Sequence, residues 1–312
     1  MNRLVIATRG SRLALWQSEH IKKLIAKKFP NIRVELSVFK TKGDKILDTP
    51  LALIGGKGLF TKELEDAMLK KRAHLAVHSL KDVPTILPKG LVLAAFTKRE
   101  DSRDALLSQK YKSIKELPKG AIVGTTSLRR RMQLLNLRDD LVVKDLRGNI
   151  DTRIKKLKNG EFDAIILATA GVKRLGLIDE VKYFNPIEID LMIPAMGQAA
   201  LGIECIDEKD VLKIVKTLND EKSEIETRVE RDFVDRLEGG CQVPIGVKAT
   251  LLGKKIDVKA VIGLPNGKEL LKEEIVGDKK EYKELGIRLA DLMIKKGAKE
   301  LLKRAEEIAF KE

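Results

Sequence analysis

Arginines and small hydroxyl residues recur together at several points in this chain where a β-rich apolar run gives way to a helical period. Thr8-Arg9-Gly10-Ser11 follows the first such run. Gly124-Thr125-Thr126-Ser127-Leu128-Arg129-Arg130-Arg131 follows a later one, and Leu146-Arg147-Gly148-Asn149 with Arg153 follows the next. Arg174 stands just after Ala170-Gly171. Free backbone N–H groups at a helix start favour an anion, and a guanidinium adds a forked donor suited to carboxylate or phosphate. Ser11 has a second reading, as a plain helix cap. Arg129 and Arg130 are harder to read as structural, because cations at a helix N-terminus oppose the helix dipole and an external anion would offset that cost. No Walker motif occurs and no Gly-x-Gly-x-x-Gly follows a strand, so a nucleotide is the weaker choice of anion.

Two further segments could carry chemistry. In His78-Ser79-Leu80-Lys81-Asp82-Val83-Pro84, Asp82 offers a carboxylate beside the cation of Lys81. An ionised Asp there could shuttle protons or stabilise a cationic intermediate, and an Asx-type turn before Pro84 is the structural alternative. His78 lies within the strand and reads as structural. Cys205, inside Leu201-Gly202-Ile203-Glu204-Cys205-Ile206, reads as a packed, inert thiol. Cys241 differs, because Gly239-Gly240 and Gln242-Val243-Pro244 place it in a loop that can present a thiol, although an unreactive loop cysteine remains the alternative.

The elements that must position these residues follow from periodicity. Strands are expected at Leu4 to Ala7 and Val34 to Phe39 around a helix from about Leu13 to Lys28. A turn at Gly55-Gly56-Lys57-Gly58 precedes a helix at about Phe60 to Lys71 and strands at Leu75 to His78 and Leu91 to Phe96. After the charged run Lys98-Arg99-Glu100-Asp101 the alternation restarts. It gives strand Ala121 to Gly124, helix Leu128 to Leu137, strand Leu141 to Lys144, helix Ile150 to Lys158 and strand Ala164 to Leu167, hence a second α/β domain. Strand Leu201 to Ile206 and helix Glu208 to Leu218 are expected to cross back and complete the first sheet. A long helix from Glu221 to Arg236, runs at Val247 to Leu252 and Ile256 to Ile262, a Pro265-Asn266-Gly267 turn and a last helix over Tyr282 to Ile308 describe a small α+β region. Open α/β sheets bind ligands at the carboxyl ends of their strands, which is where the arginine segments fall.

Composition narrows the class. The chain has 312 residues, 43% hydrophobic and 34% charged, enough for more than one buried core. No apolar run approaches the roughly 20 residues of a membrane span, and no signal-peptide core follows Met1, so a cytoplasmic protein without a membrane partner is expected. Two cysteines cannot form a disulfide framework, and neither lies in a Cys/His cluster that would suggest a metal. The formal net charge of +15 favours anionic partners. Nucleic acid is not expected, since aromatics are only 4% and no zinc-finger, basic-zipper or ribonucleoprotein motif is present.

As an ordered set, these segments resemble the hydroxymethylbilane synthase family, also called porphobilinogen deaminase. The resemblance runs through Ile6-Ala7-Thr8-Arg9-Gly10-Ser11 to Leu15-Trp16-Gln17, Gly55-Gly56-Lys57-Gly58-Leu59-Phe60, His78 to Thr85, and Gly124 to Arg130. It continues through Leu146-Arg147-Gly148-Asn149 and Leu237-Glu238-Gly239-Gly240-Cys241. It implies an α/β fold with two periplasmic-binding-protein-like α/β domains flanking a cleft, plus a small C-terminal α+β domain. The corresponding ranges are 1–99 with about 200–218, then 100–199, then 219–312 carrying the cofactor cysteine. It further implies a transferase of tetrapyrrole biosynthesis that condenses four porphobilinogen units onto a dipyrromethane primer held as a thioether on Cys241, releasing hydroxymethylbilane and ammonia.

By the same resemblance, Asp82 is the catalytic carboxylate. Lys81, Asp82, Thr126, Ser127, Arg129, Arg130 and Arg147 hold the cofactor. Arg9, Ser11, Gln17, Phe60, Arg147, Arg153, Arg174 and Gln198 hold the incoming ring or growing chain. No metal is implied, and the expected state is a monomer. Two positions depart from the family pattern: Ala199 stands where glycine is common, and Thr126 where serine is common. Neither removes a reacting group.

Overall fold

The computed structural model describes residues 1–45, 59–238 and 243–309. The chain divides into two compact units, the first drawn from 1–100 and 199–225, the second from 101–198 and the residues after 225.

The first unit is built on a five-stranded sheet formed by β1 (Arg3–Arg9), β2 (Arg33–Phe39), β3 (Leu75–Ser79), β4 (Leu91–Phe96) and β10 (Leu201–Ile206), in the order β2-β1-β3-β10-β4. β1 runs parallel to β2 and β3, whereas β10 runs antiparallel to both its neighbours, β3 and β4. Parallel neighbours require crossovers, which the helices supply. The helix Arg12–Lys28 buries Ile21 and Ile25, and the helix Lys62–Leu69 buries Leu64, Ala67 and Met68, against strand residues such as Leu4, Ile6, Leu75 and Ile203. The central strands are buried along most of their length, so residues of both faces are mostly apolar, the paired His78 and Glu204 being exceptions.

The second unit repeats that order and sense. Its sheet is formed by β5 (Asp104–Ser108), β6 (Ile122–Gly124), β7 (Val142–Lys144), β8 (Ala164–Ala168) and β9 (Tyr183–Pro186), in the order β7-β6-β8-β5-β9. β6 is parallel to β7 and β8, and β5 is antiparallel to β8 and β9. The helices Leu128–Leu137 and Ile150–Lys158 lie between its parallel strands in sequence. The same unit contains a three-stranded antiparallel sheet of β11 (Ile245–Leu252), β12 (Lys255–Gly263) and β13 (Leu270–Asp278).

The structure adds β13 and the helix Thr169–Arg174, for which the sequence reading gives no range, and departs from it elsewhere too. β5 and β9 were not anticipated, and the single helix expected over Tyr282 to Ile308 is two, Tyr282–Lys295 and Ala298–Ala309. Gly297 separates them at φ +91°, a left-handed conformation that glycine enters freely and that ends a helix. The apolar period alone does not register that break.

Candidate functional site

In the first unit the candidate residues gather at the carboxyl ends of β1 and β3. Arg9 ends β1, and its guanidinium carbon lies 4.2 Å from the centre of the Phe60 ring. That spacing is a cation–π contact, which steadies the guanidinium against the ring face. Ser11 is the N-cap of the helix Arg12–Lys28, and its hydroxyl accepts from the Ala14 amide at 3.3 Å. Further along the same helix, the buried Gln17 donates through Nε2 to the Ser79 hydroxyl at 2.9 Å, joining the first helix to the end of β3.

β3 runs directly into a single 3-10 turn, Leu80–Asp82. Leu80 donates its amide to the Ala200 carbonyl at 3.0 Å, and Val83 closes the turn on the Leu80 carbonyl at 3.1 Å. A Cβ at Gly202 would lie 2.9 Å from the Leu80 side chain, so the glycine in β10 is what lets the turn seat against the sheet. Leu80 is fully buried while Asp82 is exposed. The anchor and the presented carboxylate are thus two residues apart on one turn. Behind them, His78 Nε2 lies 3.0 Å from Glu204 Oε2, both buried, which agrees with a structural histidine.

In the second unit the corresponding positions are the carboxyl ends of β6 and β7. Thr126 donates its hydroxyl to the Leu146 carbonyl at 2.7 Å, tying the two strand-end loops together; serine carries the same donor, so this departure keeps the bond. Neither Ser127, the N-cap of Leu128–Leu137, nor Asn149, the N-cap of Ile150–Lys158, makes a side-chain cap bond to its helix. Ser11 does so in the first unit, which makes the contrast specific.

Arg153 is half-buried and donates through Nε to the Gly148 carbonyl at 2.7 Å. Burial, then the charges of Arg130 and Arg147, push its guanidinium down to about 10, with no carboxylate among the causes. Two further guanidinium groups close enough to repel that of Arg153 describe a place that stabilises an anion. Arg147 and Arg174 are both half-buried, Arg174 at the end of the helix Thr169–Arg174.

Arg129 and Arg130, for which the sequence calls for an external anion, are buried beside an internal one. They are 4% and 6% exposed, and both reach Asp104, which is 0% exposed. Arg129 Nη1 donates to Asp104 Oδ2 at 2.7 Å and to the Ile193 carbonyl at 2.8 Å. Arg130 donates to Asp104 Oδ1 through Nε at 3.0 Å and Nη2 at 2.7 Å, and through Nη1 to the Ile166 carbonyl at 2.9 Å. Burial disfavours the Asp104 carboxylate, but the two arginines outweigh it and hold the group well below the usual carboxylate range. Gln198, fully buried, donates through Nε2 to Asp104 Oδ1 at 3.0 Å and to the Ser102 carbonyl at 2.8 Å.

The structure therefore groups Arg9, Ser11, Gln17, Phe60, Lys81 and Asp82 in the first unit, and Thr126, Ser127, Arg129, Arg130, Arg147, Arg153, Arg174 and Gln198 in the second. Cys241 and Gly55 to Gly58 lie outside the described residues. Asp104 was missed in the sequence because no local motif marks it. Its partners are 25, 26 and 94 positions away in the chain. The other thiol, Cys205, is buried, and burial pushes it up to about 12, consistent with an inert packed cysteine.

Comparison with known proteins gives the family. The model of the porphobilinogen deaminase dipyromethane cofactor binding domain matches residues 4–213, and that of the porphobilinogen deaminase C-terminal domain matches residues 225–295. Porphobilinogen deaminase of a Nitratiruptor species is 69% identical over 311 residues, covering 99% of each chain. Those of Aliarcobacter butzleri and Sulfurimonas denitrificans are each 62% identical, covering 100% and 98% of this chain and the same shares of their own. Among solved structures, a TRAP periplasmic solute binding protein from Desulfovibrio salexigens is 13% identical with a TM-score of 0.43, covering 71% of this chain and 73% of its own. On the family models and on identity across its whole length, the chain belongs to the porphobilinogen deaminase family.

Proposed function

We propose that this chain is a transferase that joins four porphobilinogen units, one at a time, onto a covalently held dipyrromethane, releasing linear hydroxymethylbilane and ammonia. The observation that carries the reading is the match of the porphobilinogen deaminase family models and of full-length relatives; at the site itself, Arg153 lies close enough to Arg130 and Arg147 for their charges, after burial, to push its guanidinium down to about 10. Such a set suits a ligand that brings carboxylates in series, and each porphobilinogen ring brings an acetate and a propionate. The donor set fits the dipyrromethane for the same reason, since its own carboxylates need paired, forked donors. When bound, that group supplies the free pyrrole α-carbon that each new unit joins.

The chain's residues divide the work as follows. Cys241 is the point of attachment. Lys81, Thr126, Ser127, Arg129, Arg130 and Arg147 neutralise and orient carboxylates of the held group. Arg9, backed by the Phe60 ring, acts on the incoming substrate with Ser11, Gln17, Arg147, Arg153 and Arg174, and Gln198 belongs to the same set through Asp104. Asp82 is presented on a rigid turn by the buried Leu80. There an ionised carboxylate stabilises the cation left on the substrate's methylene when its amine departs as ammonia, and can take up the proton displaced when the new carbon–carbon bond forms.

Intact mass spectrometry tests this directly. Wild-type protein is expected to be heavier than its sequence by two linked pyrroles, and to gain successive pyrrole units on incubation with porphobilinogen. Cys241→Ser is expected to show neither addition. An unmodified mass in wild-type protein that consumes porphobilinogen would overturn covalent anchoring.

A further inference from the structure

We infer that Asp104 is a positioning residue of the arginine site and that Gln198 acts through it, so that neither is a ligand to the substrate; this rests on the function proposed above. Asp104 is the first residue of β5, the one central strand of its sheet that runs antiparallel, and it pairs with Ala168 at the carboxyl end of β8. β8 and β6 are parallel. Only an antiparallel strand can put its first residue on the edge where the parallel strands end, and that edge is where the helix Leu128–Leu137 begins. The strand's direction thus brings a buried carboxylate under the first turn of that helix, beneath Arg129 and Arg130.

What the carboxylate does there follows from the geometry. Arg130 donates to Asp104 through Nε and Nη2 and lies close enough to Arg153 for the two charges to repel. With the Ile166 carbonyl on Nη1, the rear of the Arg130 fork is occupied by fixed acceptors. Arg129 is held likewise between Asp104 and the Ile193 carbonyl. Repulsion alone would splay these long side chains. Asp104 holds them in place, so that the carboxylates of the held group meet donors already oriented and do not bear the entropy of ordering them. The carboxylate also reduces the local positive charge by one, so the arrangement favours orientation over raw attraction. Gln198 fixes Asp104 in turn by donating to Oδ1 and spanning to the Ser102 carbonyl.

The test compares variants by intact mass for the fraction loaded with dipyrromethane, and the loaded protein for kcat and KM with porphobilinogen. Asp104→Asn is expected to lower the loaded fraction by about threefold or more, and kcat of the loaded protein by about tenfold with KM little changed, because Arg129 and Arg130 orient the held group and not the incoming ring. Asp104→Asn combined with Arg130→Gln is expected to lose less than the product of the two single losses, because part of the aspartate's effect runs through Arg130 and the rest through Arg129. Gln198→Met is expected to lower loading and kcat in the same direction, by about threefold, and it serves if Asp104→Asn does not fold. Losses for Asp104→Asn and Arg130→Gln that multiply in full, or Gln198→Met with unchanged loading and kcat, would overturn the inference. A wild-type protein that carries no added mass and does not consume porphobilinogen defeats the functional reading instead.

Discussion

Ala199 accepts a hydrogen bond from the Glu100 amide at 3.3 Å while its own backbone sits at φ +76°. The bond pairs the two segments at which the chain leaves and re-enters the first unit. A residue with a Cβ is disfavoured in that left-handed region, which gives a physical reason for glycine to be common at this position in the family.

Ala199→Gly is therefore expected to stabilise the protein. Relief of the left-handed strain, about 1–2 kcal/mol, outweighs the added freedom of glycine in the unfolded chain, about 0.4–1 kcal/mol. Urea unfolding should show a higher midpoint at unchanged slope. A lower midpoint would mean that the backbone at Ala199 is not held at positive φ.

Asp82→Ala is expected to leave stability within about 0.5 kcal/mol, since the side chain is exposed on a turn anchored by Leu80. Turnover of porphobilinogen should fall by a factor of about 10²–10⁴, the usual contribution of a positioned proton-transfer group. Ammonia release measured at saturating substrate decides it, and near wild-type turnover would remove Asp82 from the chemistry.

Arg153→Lys should not behave as a conservative change. Lysine keeps a charge but loses the planar fork that here spends Nε on the Gly148 carbonyl. We expect KM for porphobilinogen to rise about tenfold, a loss of roughly 1.4 kcal/mol in binding, with a smaller effect on kcat. Initial-rate measurements across substrate concentration separate the two.

The Asp104 network also sets a pH dependence. Its folded carboxyl is held below its unfolded value, so the stabilisation is present above the ordinary carboxylate range, about pH 4, and is lost as pH falls toward the lower folded value. Between about pH 5 and 8 this group should contribute no slope. Chemical denaturation from pH 7 down to about pH 2 should show a steeper acid loss in wild type than in Asp104→Asn; parallel curves would assign the acid limb to other carboxylates.

Much of the secondary structure was legible because periodicity is a local property. The helices Leu128–Leu137, Ile150–Lys158 and Glu221–Arg236 and the strands Leu91–Phe96 and Leu201–Ile206 have the bounds that their apolar spacing and flanking residues predict. β5 was not, because five residues beginning with an aspartate after a charged run look like a continuing loop until a sheet pairs them on both sides. The division of the last helix was not, because Gly297 falls between two helices that share an apolar period.

The candidate site divides along the same line. Residue type and neighbourhood along the chain determined the anion preference: arginines beside hydroxyls at strand-to-helix turns, the Lys81-Asp82 turn, and a cysteine among glycines. The ordered set of those segments carried the family. Tertiary structure alone decided which arginines stand near solvent and which are held from behind. Arg129 and Arg130 look in sequence like further clamps of the same kind as Arg9, yet an antiparallel strand brings Asp104 beneath them and Gln198 behind Asp104. Hydrogen bonds between residues up to 94 positions apart depend on strand order and direction, which no local pattern of residue types encodes.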